Sequence, residues 1–391
     1  MDTLIEQLPF FTDDHRRLAA SVSNFAASMA DFAAREIEPR AGEEADADAQ
    51  FRTLLALLAQ ADLLRYAVAR DAAPLDVRSL CLIREALAYS SSLADLAFEM
   101  QGLGTYAISR AAPDHVRDFW LERAASGRSI AAFALTEPDA GSDVASLQTT
   151  ARREDDWYVI NGRKCFISNA GVADFYTVFA RTGRGDNNRP EISAFVVGAR
   201  MQGFRVRERT RLMSPHPIGE IEFDNLRVPA EDRVGEEGEG YRLAMETLDT
   251  FRASVGAAAC GMARRALDES LRHAKRRVQF GVPLASQQLI QEKLAVMATE
   301  LDAARLLVYR AAYQKDTDPA ATVTRAASEA KLFATEAASR IIDEAVQIQG
   351  GAGLVHGSTV ERLYRDVRAL RIYEGTSEIQ KLVIAKELLK E

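Results

Sequence analysis

The residues with the clearest chemical potential lie in two short polar segments that are far apart in the chain. The first, ALTEPDAGSD at residues 134–143, combines acidic and hydroxyl side chains with a proline that fixes the backbone and a glycine that frees it. It predicts a shaped polar turn, not a helix interior. The second, RIYEGTSEIQ at residues 371–380, places one carboxylate, Glu374, between an aromatic residue and a glycine.

Glu374 precedes a predicted helix at residues 378–390, and Ser377 with Gln380 makes a plausible capping box for its start. A carboxylate near a helix N-terminus is stabilised as an anion by about 0.3–1 kcal/mol. Taken alone, this pattern favours a carboxylate that only supports the helix start. A chemical role for Glu374 therefore depends on what the rest of the chain contains.

The chain that must position these segments has helical patterns at both ends. Apolar residues recur there at spacings of three and four, which makes one buried stripe on each helix. Helical patterns of this kind run over residues 18–32, 51–64, 79–97, 290–308 and 334–348. We expect Pro39 to close the first of them and Gly350-Gly351 to end the last.

The middle of the chain predicts β-structure. WYVINGRKCFIS at residues 157–168 is two apolar runs joined by Asn161-Gly162, a strong hairpin signal because both turn residues tolerate positive φ. Further strand patterns lie at residues 175–181, 192–197, 204–209 and 219–223. The order of helices, strands and helices predicts an α+β multi-domain fold that is mainly α. We expect its domains at residues 1–130, 131–239 and 240–391.

Composition limits the possible functions. The 391 residues carry a net charge of −8, and this acidic balance argues against nucleic-acid binding. No window approaches about 20 continuous apolar residues, so we expect no membrane insertion, and the N-terminus does not resemble a signal peptide. Three widely spaced cysteines without a CxxC pair predict no disulfides, and the histidines lack metal-ligand spacing. We therefore expect a cytoplasmic protein without a metal.

Two more segments, RRVQFG at residues 276–281 and QIQGGAG at residues 347–353, complete a set of four motifs. Together they resemble the signatures of the acyl-CoA dehydrogenase family, and the resemblance runs nearly end to end from about residue 130. It implies an N-terminal helical domain, a central small β-domain and a C-terminal four-helix bundle. It also implies FAD as cofactor, an acyl-CoA substrate, an electron-transferring flavoprotein as acceptor, and a homotetramer built as a dimer of dimers.

The resemblance assigns catalysis to Glu374. In the family, the glutamate of this segment is the base that removes the α-proton of an acyl thioester while the β-hydride passes to the flavin. Some relatives carry the base on a C-terminal helix instead, at the position of Phe251, which cannot accept a proton. The resemblance further implies that the main-chain N–H of Glu374 and a ribityl hydroxyl of the flavin stabilise the thioester oxygen.

The same resemblance implies the residues that bind FAD and substrate, and it places those around the ADP half of FAD on a neighbouring subunit. The residues expected to bind FAD are Leu135, Thr136, Ser142, Phe166, Ile167, Ser168, Arg277, Gln279, Phe280, Gln288, Gln347, Gly350, Gly351, Thr376 and Glu378. The residues expected to bind substrate are Ser142, Asp249, Arg252 and Gly375. A simpler role stays open for Arg252 (a surface ion pair), for Arg277 (a solvated basic run) and for Phe166 (a core strand residue).

The sequence also departs from the family pattern. Residues 66–79 lack the usual glycine-rich loop that borders the acyl pocket, so the substrate could be an unusual one. Residues 212–223 lack the common Gly-x-Arg-x-Ser pattern, and His216 there either lines the CoA channel or is structural. Gly357 replaces an acidic residue of the C-terminal signature.

The sequence thus predicts FAD-dependent α,β-dehydrogenation of an acyl-CoA thioester to trans-2-enoyl-CoA, in fatty acid metabolism, with Glu374 as base. One alternative is a flavoenzyme of the same fold that acts on carrier-protein-bound acyl groups or passes electrons to oxygen. Another is a helical assembly protein that has lost flavin, although the presence of both Glu374 and the Arg277 motif argues against it. No motif fixes the length or branching of the acyl chain.

Overall fold

A computed structural model describes residues 3–32, 47–69, 74–185, 190–318 and 322–390 of the chain. Its helices are α1 (Thr3–Gln7), α2 (Asp13–Phe32), α3 (Ala47–Gln60), α4 (Val77–Ser90), α5 (Ser92–Ala111), α6 (Asp114–Ala125), α7 (Gly240–Arg276), α8 (Gln288–Thr317), α9 (Thr324–Gln349), α10 (Thr359–Val367) and α11 (Ser377–Leu388). Its strands are β1 (Ala131–Ala134), β2 (Thr150–Glu154), β3 (Trp157–Ser168), β4 (Phe175–Arg184), β5 (Pro190–Gly198), β6 (Phe204–Arg209), β7 (Ile218–Pro229), β8 (Arg233–Val234), β9 (Val278–Gln279) and β10 (Val282–Pro283). None of the described helices is both long and apolar enough to cross a membrane.

The chain forms two compact units. The helical unit comprises Met1–Ala45, Asp76–Asp95 and Asp249–Glu391, and the sheet unit comprises Asp46–Leu75 and Leu96–Leu248. The divisions fall inside α5 and α7, so each of these two helices contributes to both units. The predicted order of helices, strands and helices is confirmed.

The core of the helical unit is built from small side chains that let α7, α8 and α9 approach closely. A Cβ added to Gly256 of α7 would lie 2.8 Å from Cγ2 of Val308 in α8 and 3.3 Å from Cβ of Ala334 in α9. The apolar stripes predicted for residues 290–308 and 334–348 are confirmed, because their members lie in α8 and α9 and supply much of this core. Gly350 ends α9 as predicted, with a φ of 60°.

The sheet unit is organised around an eight-stranded sheet with the order β6-β7-β3-β2-β4-β5-β8, and β1 pairs in parallel with β4. The strand patterns in the middle of the chain are confirmed in β4, β5, β6 and β7. Buried apolar residues of β1, β4, β5 and β8 form one core with residues of α5 and α6. Thr177 of β4 also donates its hydroxyl proton to the carbonyl of Gly104 in α5, at 2.6 Å.

The hairpin predicted at Asn161-Gly162 is wrong. β3 runs straight through both residues, with a register shift against β7, and a Cβ added to Gly162 would lie 2.5 Å from Oγ1 of Thr149. The turn that joins β2 to β3 lies instead at Asp155, where φ is 51°. Glycine at residue 162 therefore permits close packing inside a strand.

One helix prediction needs correction, and the predicted helix end at Pro39 stays open. The single pattern at residues 79–97 is two helices, because the chain breaks at Ser91, which has an extended backbone between α4 and α5. Pro39 lies outside the described residues, as do residues 70–73 of the unusual loop.

Candidate active site

Glu374 lies in a strained turn of the helical unit, between α10 and α11. Its own φ is 51° and that of Gly375 is 89°, so two successive residues occupy the left-handed region. The Oε2 atom of Glu374 is buried and has no hydrogen-bond partner among the described residues. A buried carboxylate oxygen without a partner is costly, so its presence calls for an explanation, and a catalytic role is one such explanation.

The capping box predicted from Ser377 and Gln380 is wrong. The N-cap of α11 is Thr376, whose hydroxyl oxygen accepts a hydrogen bond from the N–H of Ile379 at 3.3 Å. Gln380 instead turns back on the strained turn, and its amide group donates to the carbonyls of Glu374 and Gly375 at 3.1 and 3.0 Å. Gln380, which the sequence assigns to the start of the helix, therefore supports the turn that carries Glu374.

Glu336 of α9 connects the two ends of that segment. Its Oε1 atom accepts hydrogen bonds from Nε of Arg371 at 2.8 Å and from the hydroxyl of Ser377 at 2.6 Å. Burial alone would raise the pKa of Glu336, but these two donors and the charge of Arg371 lower it below its ordinary value. Glu336 therefore stays ionised at neutral pH and binds both sides of the turn.

Arg252 of α7 lies in the same unit, and it forms an ion pair with Asp249 one helical turn earlier. Its side chain is buried, so the surface ion pair considered from the sequence is wrong, although the pairing itself exists. Asp249 also accepts a hydrogen bond from the hydroxyl of Thr324 at 2.6 Å. Phe251, at the other possible base position, is fully buried.

In the sheet unit, the segment ALTEPDAGSD forms the polar turn that its composition predicts. Glu137 exchanges two backbone hydrogen bonds with Ala140, and its buried carboxylate pairs with Nζ of Lys164 at 2.8 Å. The Lys164 ammonium also donates to the carbonyl of Leu135 at 2.9 Å, and the N–H of Thr149 donates to Glu137 at 2.9 Å. These contacts fix the backbone of the turn from its buried side.

Phe166 projects from the sheet unit. It is 62% exposed and has a φ of 52°, at an irregular point where β3 shifts its register against β7. The alternative that Phe166 is a core strand residue is therefore wrong. Its neighbour Ile167 is buried, as a strand residue on the opposite side is expected to be.

Ser168 at the end of β3 has a partner that the sequence did not suggest. Its hydroxyl lies 2.9 Å from Nε2 of His216, in the loop before β7. Burial lowers the pKa of His216 to about 4, so its ring is neutral at physiological pH. Of the two roles that the sequence leaves open for His216, this contact supports a structural one within the unit.

The residues expected around the ADP half of FAD lie on the exterior of the helical unit. β9 and β10 form a small antiparallel hairpin with Phe280 at its tip, 96% exposed and with a φ of 53°. The other exposed members of this predicted group are Arg277, Gln279, Gln288, Gln347, Gly350 and Gly351. A bare aromatic side chain in a strained backbone favours a surface that a partner covers.

Comparison with known proteins agrees with this geometry. Three family models match in sequence, described as the acyl-CoA dehydrogenase N-terminal domain (residues 12–128), middle domain (residues 132–226) and C-terminal domain (residues 238–389). The chain belongs to the acyl-CoA dehydrogenase family. It is therefore an oxidoreductase, its cofactor is FAD, and its fold class is the one the sequence predicted.

The relatives of this acyl-CoA dehydrogenase family member include proteins named as reductases and proteins named as dehydrogenases. The 3-(aryl)acrylate reductase of Clostridium sporogenes is 40% identical over 97% of this chain and 100% of its own length. The cyclohexane-1-carbonyl-CoA dehydrogenase of Geobacter metallireducens is 40% identical over 80% of this chain and 82% of its own. The caffeyl-CoA reductase-Etf complex subunit CarC of Acetobacterium woodii is 42% identical over 69% and 71%.

Solved structures of the family superpose closely on the chain. The butyryl-CoA dehydrogenase of Megasphaera elsdenii gives a TM-score of 0.87 with 33% identity, over 97% of this chain and 99% of that one. A glutaryl-CoA dehydrogenase of Mycobacterium smegmatis, in complex with FADH2, gives 0.86 with 28% identity, over 99% and 97%.

The residues present in this acyl-CoA dehydrogenase family member fit a flavin. The sheet unit presents the exposed aromatic ring of Phe166 and carries half-buried hydroxyls at Thr136 and Ser168, which suits a planar ring with polar edges. The helical unit supplies the carboxylate of Glu374 with an unused oxygen.

Sequence reasoning missed several residues that support these groups. Lys164 supports the predicted FAD segment at residues 134–143, and Glu336 and Lys331 support the segment that carries Glu374. For Lys331 a signal was present, because it falls three residues before Ala334 on the apolar stripe of α9. A lysine on a stripe of buried alanines must have a specific partner.

Two clusters of described residues also have metal-binding geometry that the histidine spacing did not predict: His115 with Glu231 and Asp232, and His15 with Asp76 and Asp316. The ligand atoms of His15, Asp76 and Asp316 lie within 4.8 Å of one another. The carboxylates are already used at the start of α4, where Asp316 accepts from the N–H of Val77 at 2.7 Å and Asp76 from the hydroxyl of Ser79 at 2.8 Å. These bonds explain the cluster as a helix cap.

Proposed function

We propose that the protein catalyses the FAD-dependent α,β-dehydrogenation of an acyl-CoA thioester to the trans-2-enoyl-CoA, with Glu374 as the base. The observation that carries the proposal is the buried Oε2 atom of Glu374, which has no partner among the described residues. A carboxylate oxygen kept free of hydrogen bonds is available to accept a proton. Phe251 at the other position used in the family has no group that can do so.

The chemistry needs more than a base. An α-C–H beside a thioester is a very weak acid, so the carboxylate can remove its proton only if charge on the thioester oxygen is stabilised. We propose the main-chain N–H of Glu374 as one donor, and the left-handed backbone at Glu374 and Gly375 supports this because it sets the direction of that N–H. Bound FAD supplies the acceptor for the β-hydride.

Two groups of residues would hold FAD. We propose that Leu135, Thr136, Phe166, Ile167 and Ser168 hold its isoalloxazine side, and the exposed ring of Phe166 supports this. Ser142 would contact the flavin phosphate or the pantetheine arm of CoA. We propose that the ADP half is held by Arg277, Gln279, Phe280, Gln288, Gln347, Gly350 and Gly351, and that Thr376 and Glu378 also approach FAD. A guanidinium suits a phosphate, and the glycines let backbone amides approach it.

The substrate would be bound by Ser142, Asp249, Arg252 and Gly375. The buried pair of Arg252 with Asp249 supports this, because Nε of Arg252 is buried without a partner among the described residues and can donate to a ligand. We also propose that the chain has three domains, at residues 1–130, 131–239 and 240–391.

We propose a homotetramer, a dimer of dimers, that passes its electrons to an electron-transferring flavoprotein. The exposed apolar side chains Phe280, Leu289 and Leu354 support burial against a second copy of the chain. The naming of CarC as part of an Etf complex supports the acceptor. We also propose a cytoplasmic location and a role in fatty acid metabolism, and the three free cysteines support the reducing compartment.

The decisive experiment is anaerobic bleaching of the flavin. The purified holoenzyme is mixed with straight, branched, cyclic and aromatic acyl-CoAs, and the absorbance near 450 nm is followed. We expect at least one class to bleach the wild type, and we expect Glu374→Gln to remain yellow with all of them. Bleaching of Glu374→Gln at the wild-type rate would show that another group takes the proton.

A second candidate is the reverse direction, the reduction of an aryl-substituted α,β-unsaturated acyl group, with Glu374 delivering the α-proton. It is favoured by the full-length similarity to the 3-(aryl)acrylate reductase. Enzyme reduced with dithionite would be mixed with 3-phenylacryloyl-CoA. Rapid return of the yellow colour, faster than any bleaching by the saturated thioester, would assign the enzyme to reduction.

A further inference from the structure

Lys331 of α9 is buried in the helical unit, directly behind the segment that carries Glu374. Its Nζ atom donates hydrogen bonds to the carbonyls of Tyr373 at 3.1 Å and of Gly375 at 2.7 Å. These are the two residues on either side of Glu374. The lysine therefore binds the main chain around the proposed base and not the carboxylate itself.

A second side chain completes the same contact. Gln380 is also buried, and its amide donates to the carbonyls of Glu374 and Gly375. Three consecutive carbonyls, from Tyr373 to Gly375, are thus bound by donors from α9 and α11. A left-handed non-glycine residue costs on the order of 1–3 kcal/mol and persists only where the surroundings fix it. Lys331 and Gln380 supply that restraint for Glu374.

The charges around Lys331 are mixed. Burial is the largest influence and lowers the pKa of Lys331 to about 8, against the attraction of the nearby carboxylates. Those carboxylates are Glu374 in the turn, Glu336 on α9 and Glu378 on α11, while Arg252 on α7 opposes the charge. A neutral amine still has two N–H groups, so both carbonyl bonds survive loss of the charge.

We propose that Lys331 is a positioning residue for Glu374: it fixes the carbonyls on both sides and so holds the carboxylate where it can take the α-proton. This inference rests on the proposed function, because it presupposes that Glu374 is the base. A misplacement of about 1 Å in a reacting group can cost about 100-fold in rate. Loss of the two bonds should therefore slow proton removal without weakening substrate binding.

The test compares Lys331→Met, which keeps the length of the chain but has no donor, with Lys331→Gln, whose amide can donate again. Lys293→Met is the matched control, since Lys293 lies on the neighbouring α8 and pairs with Glu344 of α9. For each variant the FAD content, kcat and KM are measured with the acyl-CoA that bleaches the wild type fastest. Proton removal is isolated by exchange of the α-proton in D2O, with the 3-thia analogue of that acyl-CoA, which has no β-hydride to lose.

We expect Lys331→Met to retain FAD and KM while kcat and α-proton exchange fall about 100-fold. Lys331→Gln should recover part of the exchange rate, and Lys293→Met should equal the wild type. A crystal structure of Lys331→Met should show Glu374 outside the left-handed region or its carboxylate exposed.

Wild-type exchange in folded, FAD-loaded Lys331→Met would overturn the inference. If that variant does not fold, wild-type exchange in Lys331→Asn, which is too short to reach both carbonyls, would overturn it equally. Glu374→Gln is measured beside them. If Glu374→Gln still exchanges, the proposed function fails; if it does not exchange while the lysine variants do so normally, only the role of Lys331 fails.

Discussion

Glu137 and Lys164 form an ion pair inside the sheet unit, with 2.8 Å between Oε1 and Nζ and both side chains buried. Burial lowers the pKa of Lys164 to about 8, and the charge of Glu137 limits the shift. The pair joins β3 to the turn at residues 134–143, because Lys164 also binds the carbonyl of Leu135. Its loss should therefore affect both stability and the proposed flavin contacts.

Lys164→Met should destabilise the protein by about 3–5 kcal/mol, because it leaves a buried carboxylate without its counter-charge. The unfolding midpoint in urea should fall, and the 450 nm absorbance per protein should fall with it. The double variant Lys164→Met with Glu137→Gln should regain part of the midpoint, since no unpaired charge remains. An unchanged midpoint in the single variant would contradict a structural role for the pair.

Gly375→Ala should both strain the backbone and displace Gln380. The φ of Gly375 is 89°, and an added Cβ would lie 2.5 Å from Nε2 of Gln380. We expect a loss of about 1–3 kcal/mol in stability and slower flavin bleaching. The control is Gly357→Ala, at a φ of 83° with no heavy atom within 4 Å of the added Cβ, which shares the backbone strain alone. Equal bleaching rates in the two variants would show that the clash with Gln380 has no effect on catalysis.

Arg277→Ala should weaken both FAD retention and assembly if the proposed contact to the phosphates of a neighbouring subunit's FAD is correct. Flavin content is read from the ratio of absorbance at 450 and 280 nm, and assembly from sedimentation velocity. Arg276→Ala is the control, because this neighbouring arginine is also exposed and donates a hydrogen bond to the carbonyl of Arg272 in its own helix. A fully loaded tetramer in Arg277→Ala would exclude the contact.

His216 should make the protein sensitive to acid. Its pKa is near 4 in the folded chain, below the ordinary value of about 6.5. Between these values the unfolded chain binds more protons, so stability is present above pH 6.5 and is lost as pH falls towards 4. In His216→Asn this part of the loss should disappear. Urea midpoints at pH 5 and pH 7.5 measure it, with exposed His115→Asn as the control. An equal acid-induced loss in His216→Asn and the wild type would assign the sensitivity to other groups.

The apolar patterns of the helices and strands were predictable because they depend on burial alone. The stripes of α8 and α9 follow from spacing, since each helix must place apolar side chains on one side. β4 and β5 follow from short continuous apolar runs, because six consecutive residues are buried in each of them. The hairpin at Asn161-Gly162 failed because the same dipeptide that permits a turn also permits close packing beside Thr149 within a strand. Local propensity cannot distinguish these outcomes, which the pairing of β3 with β7 decides.

The groups behind the site were harder to predict. Glu374 and Phe166 stand in recognisable motifs, but Lys331 is 43 positions from the carboxylate it supports and acts on carbonyls that every residue carries. A contact to the main chain leaves no complementary side chain at residues 373 or 375 to be found in the sequence. The capping box failed for a related reason, because Ser377 and Gln380 had better partners in Glu336 and the turn than in the helix itself.

Lys331 and Gln380 bind three consecutive main-chain carbonyls, so the backbone conformation at residue 374 is held independently of the side chain that this residue carries. An aspartate, a cysteine or an unnatural base placed there would be presented on the same scaffold, because neither donor contacts the carboxylate. In protein engineering, this turn offers a position where the reactive side chain can be replaced while the backbone that supports it is unchanged.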